Sequence, residues 1–359
     1  MNDLLPLLKD LISEPGLSGY ESPVRKLIEN AWRPLTDEIH VSRLGSLHAL
    51  RKGRAPEPRP SLLLTGHMDA IGLMVTSLVD GFIRLVEVGG VDPRVLPGQL
   101  VTVHGRKDIP GVIVQPPSYL LPSEVRGVAV PLKYLLVDVG LEPAQVERLV
   151  RVGDLVSFAQ TPIELGEDYL VGHTLDDRAA VGVITQCLVE LQGRSLNWDL
   201  WVAATSQEEE TFGGAFTSAY QLRPTLAVAI DVTFASGPGS PSHLTFPLGK
   251  GFTLGWGPNI HPKFHKAMKD LADRLEIPHK LEPMPELSGT DAYAMQVVAE
   301  GVPTMMVGIP LRYMHTPVEM VCLKDITRSG RFLADFAAQL DDKFMEKLSV
   351  YPEVVSHED

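Results

Sequence analysis

The sequence predicts an α/β domain with a mixed sheet flanked by helices, interrupted by a β-rich insertion. Three observations predict it. Apolar residues recur at helical spacing near both ends of the chain. From Gly72 to Thr161 the texture changes to short apolar runs separated by Gly, Pro and Asp. After Gly172 strand-like and helix-like segments alternate, the pattern of a sheet whose connections are helices.

In chain order, the spacing predicts helices over 4–12 and 22–32, the second with Pro23 in its first turn, where the missing N–H costs nothing. A strand follows near 47–51, then the loop RAPEPRP at 54–60. The run SLLLT at 61–65 is a short buried strand ending at GHMD. The insertion, 72–161, holds six β-like runs: GLMVTSLV, GFIRLVEV, QLVTVHG, GVIVQ, YLLVDV and DLVSFA, with one helix at 143–150. Residues 1–71 and 162–359 make up the α/β domain. Its second part reads as a helix at 177–191, strands at 199–205 and 226–231, a helix at 261–275, a strand at 304–309 and one long helix at 324–348. There is no internal repeat and no low-complexity segment.

Composition narrows the function. With 359 residues and 44% apolar content, the chain can build a full core. Thirty-two basic against 45 acidic residues leave a net charge of −13, which argues against nucleic acid as a partner, since phosphate binding needs a basic surplus. Cys187 and Cys322 have no metal-ligand spacing and read as reduced core thiols. The first 16 residues carry Asp3 and Lys9 and lack a basic leader, so they read as an amphipathic helix and not a signal peptide. No apolar run approaches the ~20 residues that span a bilayer. No membrane partner is expected, and the cytoplasm is the default location.

Chemistry concentrates in five segments: GHMDAIG at 66–72, GHTLDDR at 172–178, ATSQEEETFGG at 204–214, AIDVT at 229–233 and RYMHTPVE at 312–319. Most directly follow a predicted apolar strand. Side chains just past the carboxyl ends of strands share one crevice in an α/β sheet, so distant segments can meet there. Imidazole and carboxylate suit Zn²⁺ and neighbouring metals. Taken singly, each segment has a simpler explanation. His67 alone is a hydrogen-bonded histidine. Asp176 and Asp177 alone are helix-start residues favoured by the macrodipole. Glu208 to Glu210 alone form a solvated acidic run, and Asp231 alone is a strand-end turn.

Together they resemble one family. GHMDAIGLMV, LDDRAAVGV, QEEE, AIDVT, LSGTDA and IPLRYMHTPVE match, in order and spacing from residue 66 to 319, segments of the dinuclear metallo-aminopeptidases that include the glutamyl, deblocking and tetrahedral aminopeptidases. The resemblance implies an α/β peptidase domain with an inserted β-rich dimerisation domain, PDZ-like or barrel-like. It implies two divalent metal ions, zinc or cobalt or else manganese. Asp176 would bridge them, His67 and Asp231 would complete one site, and Glu209 and His315 the other. Glu208 would be the general base that deprotonates the attacking water and returns the proton to the leaving amine. Asp69 would hydrogen-bond His67 and set its tautomer. Thr290 and Asp291, in LSGTDA, would lie near the substrate, although the same residues are also natural caps for a helix entered at Gly289. His104, His173, His243, His261, His265 and His279 read as ordinary structural residues.

The implied substrates are short peptides with a free N-terminus, and the implied partners are further copies of the chain, as dimers and a tetrahedral dodecamer. A related dinuclear amidohydrolase, such as a deacylase or carboxypeptidase, and an inactive scaffold are the competing readings. Sequences of this family have also been labelled endoglucanases, but a glycosidase needs a paired-carboxylate site that nothing here favours. Three departures from the family pattern stand out: Asp177 where Asn is usual, Glu210 to Ala215 where Val-Gly-Leu-Arg-Gly-Ala is usual, and Tyr119 where His is common.

Overall fold

The structure, a computed structural model, describes residues 4–348. Residues 1–3 and 349–359, the outer ends of the expected α/β domain, lie outside the described residues. The chain opens with helices α1 (Leu4–Ser13) and α2 (Ser22–Trp32) and strands β1 (Glu38–Val41), β2 (Leu47–Arg51) and β3 (Ser61–His67). Next come β4 (Gly72–Val79), β5 (Phe82–Val88), β6 (Leu100–His104), β7 (Asp108–Val114), β8 (Leu136–Asp138), helix α3 (Pro143–Leu149) and β9 (Leu155–Phe158). The chain continues with β10 (Ile163–Leu165), β11 (Tyr169–Gly172), α4 (Leu175–Glu190), β12 (Asp199–Thr205), α5 (Glu208–Thr211), α6 (Gly213–Leu222) and β13 (Leu226–Phe234). It closes with β14 (Phe252–Trp256), α7 (Pro262–Arg274), β15 (His279–Pro283), α8 (Asp291–Gln296), β16 (Thr304–Arg312), β17 (Glu319–Cys322), α9 (Leu323–Gln339) and α10 (Asp342–Leu348).

Two sheets result. The larger runs β1-β2-β12-β3-β13-β16-β17-β11-β10, with β14 and β15 attached beside β16. Its centre is parallel, β12 to β3, β3 to β13 and β13 to β16, and its margins are antiparallel. Every residue of β3 is buried, which requires cover on both faces and explains why SLLLT is a continuous apolar run without alternation. Helix α4, buried along most of its length, packs on β3 and β13 between α1 and α9, while α6 and α8 pack against β12, β13 and β16.

The second sheet is a closed barrel, β4-β5-β8-β7-β6-β9, with its own apolar core around Leu73, Ile83, Val103, Ile113, Val137 and Val156. Closure removes the edges that an open six-stranded sheet would expose. Of the two forms expected for the insertion, the barrel is the one found.

One expected element is different. The long helix over 324–348 is two helices. Leu340 is extended (φ −65°, ψ 128°) and fully buried, and the Asp341 carboxylate accepts the Phe344 N–H at 3.0 Å, starting a new helix. Burial of Leu340 at the break turns the chain so that Phe344 packs edge-on against Trp198 and Phe336. Cys187 and Cys322 are buried free thiols. No helix among the described residues is long and apolar enough to cross a membrane.

Candidate metal centre

Four neighbouring parallel strands bring the chemistry together. His67 ends β3, Glu208 and Glu209 open α5 just beyond β12, Asp231 lies on β13, and His315 follows β16. Thr205 is level with His67 across β12 and β3, and Ala229 with Thr65 across β13 and β3, so Asp231 continues to the height of His67. Asp176 comes from the first turn of α4.

The Asp176 carboxylate lies between two imidazoles. Its Oδ1 is 3.1 Å from His67 Nε2 and its Oδ2 is 3.4 Å from His315 Nε2. His315 Nε2 is also 3.6 Å from Glu209 Oε2, and Glu208 Oε2 is 3.8 Å from His67 Nε2. Potential ligand atoms of His67, Asp176 and Glu209 all lie within 4.8 Å of one another, as do those of His67, Asp177 and Asp231. Burial opposes the charge on Asp176, but its hydrogen bonds with His315 and His67 hold the carboxyl below the usual range. Burial, then neighbouring charges, pushes Glu208, Glu209, Asp177 and Asp231 well above it.

So many buried carboxylates, with two imidazoles among them, are stable as ions only with further positive charge. Glu209 Oε1 is buried without a hydrogen-bond partner. A divalent cation meets both needs, and these residues have the donor chemistry to hold one.

The ligand-bearing turns are themselves clamped by buried acids. Asp69, fully buried, accepts the backbone N–H groups of Glu208 at 3.0 Å and Glu209 at 3.2 Å. This differs from the expected carboxylate–imidazole bond. The Asp69 oxygen is 3.6 Å from His67 Nδ1, whereas the Asp69 backbone carbonyl is 3.0 Å away and is the closer partner for that nitrogen. Glu319 plays a matching role: Oε2 accepts the Asp176 N–H at 3.0 Å and Oε1 the His315 N–H at 2.9 Å. Sequence reasoning assigned Glu319 no role, and its only signal was an acid four residues after His315. Three residues at these turns, Thr174, Gln207 and His315, have φ between 59° and 69°, a region costly for residues with a Cβ. Arg178, fully buried, donates to the carbonyls of Met68, Leu11 and Glu14 and so ties the β3 turn to α1.

The centre opens into a cavity of about 370 Å³. Thr290 is on its wall and caps α8 by accepting the Ala292 N–H at 3.2 Å. Asp291 is not on that wall. The α8 turn directs its carboxylate inward, where it accepts the Thr205 hydroxyl at 2.7 Å. Among the family departures, Asp177 is buried and accepts the His67 N–H at 3.2 Å, while Glu210 and Phe212 line the cavity. Glu210 also accepts the N–H of Gly89, just after β5, at 2.6 Å. At Gly90 a Cβ would lie 2.9 Å from His315 Nδ1, so only glycine lets the insertion lie this close to that imidazole. Tyr119 is 73% exposed and lies off the cavity. His173 lines a separate cavity, edge-on to Phe158.

Arranged in this way at the open end of a mixed sheet, the acids and imidazoles are those of an α/β metallopeptidase. The chain belongs to the M42 glutamyl aminopeptidase family, whose sequence profile matches residues 45–332. It is a metal-dependent aminopeptidase by that membership. Among its relatives, the lysyl aminopeptidase of Pyrococcus furiosus is 34% identical over 89% of this chain and 92% of that protein. The crystal structure of a TET aminopeptidase from a marine-sediment thaumarchaeon superposes with a TM-score of 0.91 at 27% identity, covering 97% of this chain and all of that one. The TET1 peptidase of Pyrococcus horikoshii, which can assemble into a tetrahedron or a large octahedral shell, superposes with a TM-score of 0.82 at 27% identity, covering 94% of this chain and all of that one.

Proposed function

We propose that the chain removes N-terminal residues from short peptides with two divalent ions at this centre and Glu208 as general base. The observation that carries this reading is the Asp176 carboxylate with one oxygen toward His67 and the other toward His315. That arrangement suits a bridging ligand, with His67 and Asp231 completing one site and Glu209 and His315 the other. Zinc, cobalt or manganese fits such a donor set. When bound, the ions supply Lewis acidity toward a carbonyl oxygen and acidify a water.

The residues of the chain supply the rest. Glu208 has no backbone donor at its carboxylate, unlike Asp69 and Glu319, and faces the centre from 3.8 Å beyond His67 Nε2. Its raised pKa, caused first by burial, makes it basic enough to take a proton from water and to return it to the leaving amine. Asp69 keeps Glu208 and Glu209 on one turn, so that Glu209 can serve as a ligand while Glu208 remains available. Thr290 faces the substrate side of the cavity, and Asp291 supports the centre from beneath through Thr205.

We further propose that residues 72–161 mediate dimerisation and that dimers build a shell like those of the TET relatives, with short peptides as the substrates able to enter. Light scattering tests this, and a monomer would refute it. Free buried thiols agree with a cytoplasmic location. The catalytic reading is tested with metal-loaded protein on aminoacyl-p-nitroanilides, N-blocked peptides and cellulose, with and without chelator. Chelator-sensitive release from free-amine substrates is expected. None from any of them would sink the proposal.

A further inference from the structure

We propose that Glu282 makes the cavity selective for peptides whose N-terminal residue carries a cationic side chain, lysine or arginine. This rests on the aminopeptidase reading above and adds the substrate class. Glu282 lies on β15 and lines the same cavity as His67, Asp176 and Asp231.

Its position follows from strand register. Asp231 and Thr233 are two residues apart on β13, so they share a face and are separated by roughly 6.6 Å along the strand. Gly308 on β16 is level with Asp231, and Thr253 on β14 is level with Gly308. A Cβ at Gly308 would lie 2.8 Å from Glu282 Oε2 and 2.2 Å from the Thr253 hydroxyl. The missing side chain therefore leaves the space into which the carboxylate fits. The Thr233 hydroxyl donates to Oε1 at 2.6 Å, and the Thr253 hydroxyl donates to Oε2. Hydroxyls from two strands thus aim one carboxylate along the wall, on the face that Asp231 shares.

Both donors are neutral. Among the described residues, no Lys, Arg or His lies within ion-pair distance of Glu282. Burial raises its pKa, and the two hydroxyls work against that rise. A partly buried acid without a counter-ion favours a cation delivered by the ligand. Val232, Met284 and Met306 add apolar wall, which suits the four-carbon stem of lysine with its charged head at the carboxylate. An N-terminal glutamate would instead set like charges against each other.

The test compares wild type and Glu282→Gln, an isostere that keeps hydrogen bonding and removes the charge. kcat/KM is measured for Lys-, Arg-, Leu- and Glu-p-nitroanilides. Wild type is expected to favour Lys and Arg over Leu at least tenfold, with Glu poorest. The Lys-to-Leu ratio, which is independent of the active fraction, is expected to fall at least tenfold in the variant. A wild type that prefers Leu or Glu, or a variant with an unchanged ratio, overturns the assignment. A merely structural Glu282 would leave the ratio intact. Calorimetry with free L-lysine and L-leucine on metal-loaded wild type reads the same preference without turnover. If no substrate is hydrolysed, the aminopeptidase reading fails on its own, and the binding preference still decides the role of Glu282.

Discussion

Glu319 Oε1 accepts the backbone N–H of His315 at 2.9 Å. His315 sits at φ +60°, a conformation that costs on the order of 1 kcal/mol, and this bond helps hold it. Through Oε2 the same carboxylate holds the Asp176 N–H, so one buried acid keeps two candidate ligands in mutual position.

Glu319→Gln retains one acceptor and turns an amide toward a backbone donor. Metal affinity is expected to drop about 10–100-fold, with a stability loss of about 1–3 kcal/mol. Metal titration followed by calorimetry checks this, and wild-type affinity would remove Glu319 from the role of positioning residue.

Glu208→Gln is expected to leave metal content unchanged and to lower kcat about 10²–10⁴-fold, the usual worth of a positioned acid–base group. Elemental analysis and steady-state kinetics on the same preparation separate the two effects. Unimpaired turnover would mean that another group moves the proton.

Metal removal should destabilise the fold, because the carboxylates around Asp176 then repel one another without compensation. At metal concentrations of 100 Kd, binding contributes about 2.7 kcal/mol. Thermal unfolding should therefore shift down on chelation and recover when Zn²⁺ is restored. A midpoint indifferent to metal would contradict binding at this centre.

His48 provides a pH test away from the centre. It is fully buried on β2, and its Nε2 lies 2.7 Å from the Ser218 hydroxyl. Burial, then the nearby His40, lowers its pKa from 6.5 to about 4. The unfolded chain therefore binds the proton first as pH falls. The stability that neutral His48 contributes is complete above pH 6.5 and is lost between 6.5 and 4, by about 3 kcal/mol at most. Urea unfolding of wild type and His48→Gln at pH 7 and 4.5 should show a gap that narrows toward acid. A constant gap would refute the shift.

The legible part of the molecule was the part written locally. Apolar runs such as Ser61–His67 and the Gly- and Pro-punctuated runs of 72–161 announced their strands, because burial on both faces removes alternation and turns demand particular residues. The break at Leu340 was missed because DDKF continues a helical period, while only packing of Phe344 against Trp198 and Phe336 reveals the turn. Strands β14 and β15 were missed as well: HKLEP is largely exposed and has no apolar period, and it becomes a strand by pairing with β14.

The same division holds at the centre. Residue identity and strand-end position alone brought His67, Asp176, Glu208, Glu209, Asp231 and His315 forward as one set, since imidazoles and carboxylates after parallel strands converge in any such sheet. Which acid faces the cavity and which one holds a backbone amide was decided by tertiary structure. Asp69 bonds to Glu208, 139 residues away, Glu319 to Asp176, 143 residues away, and Glu282 to Thr233, 49 residues away. A carboxylate has the same chemistry in each of these roles. Its role is set by the donors that long-range packing places within about 3 Å, and no local period in the chain encodes that distance.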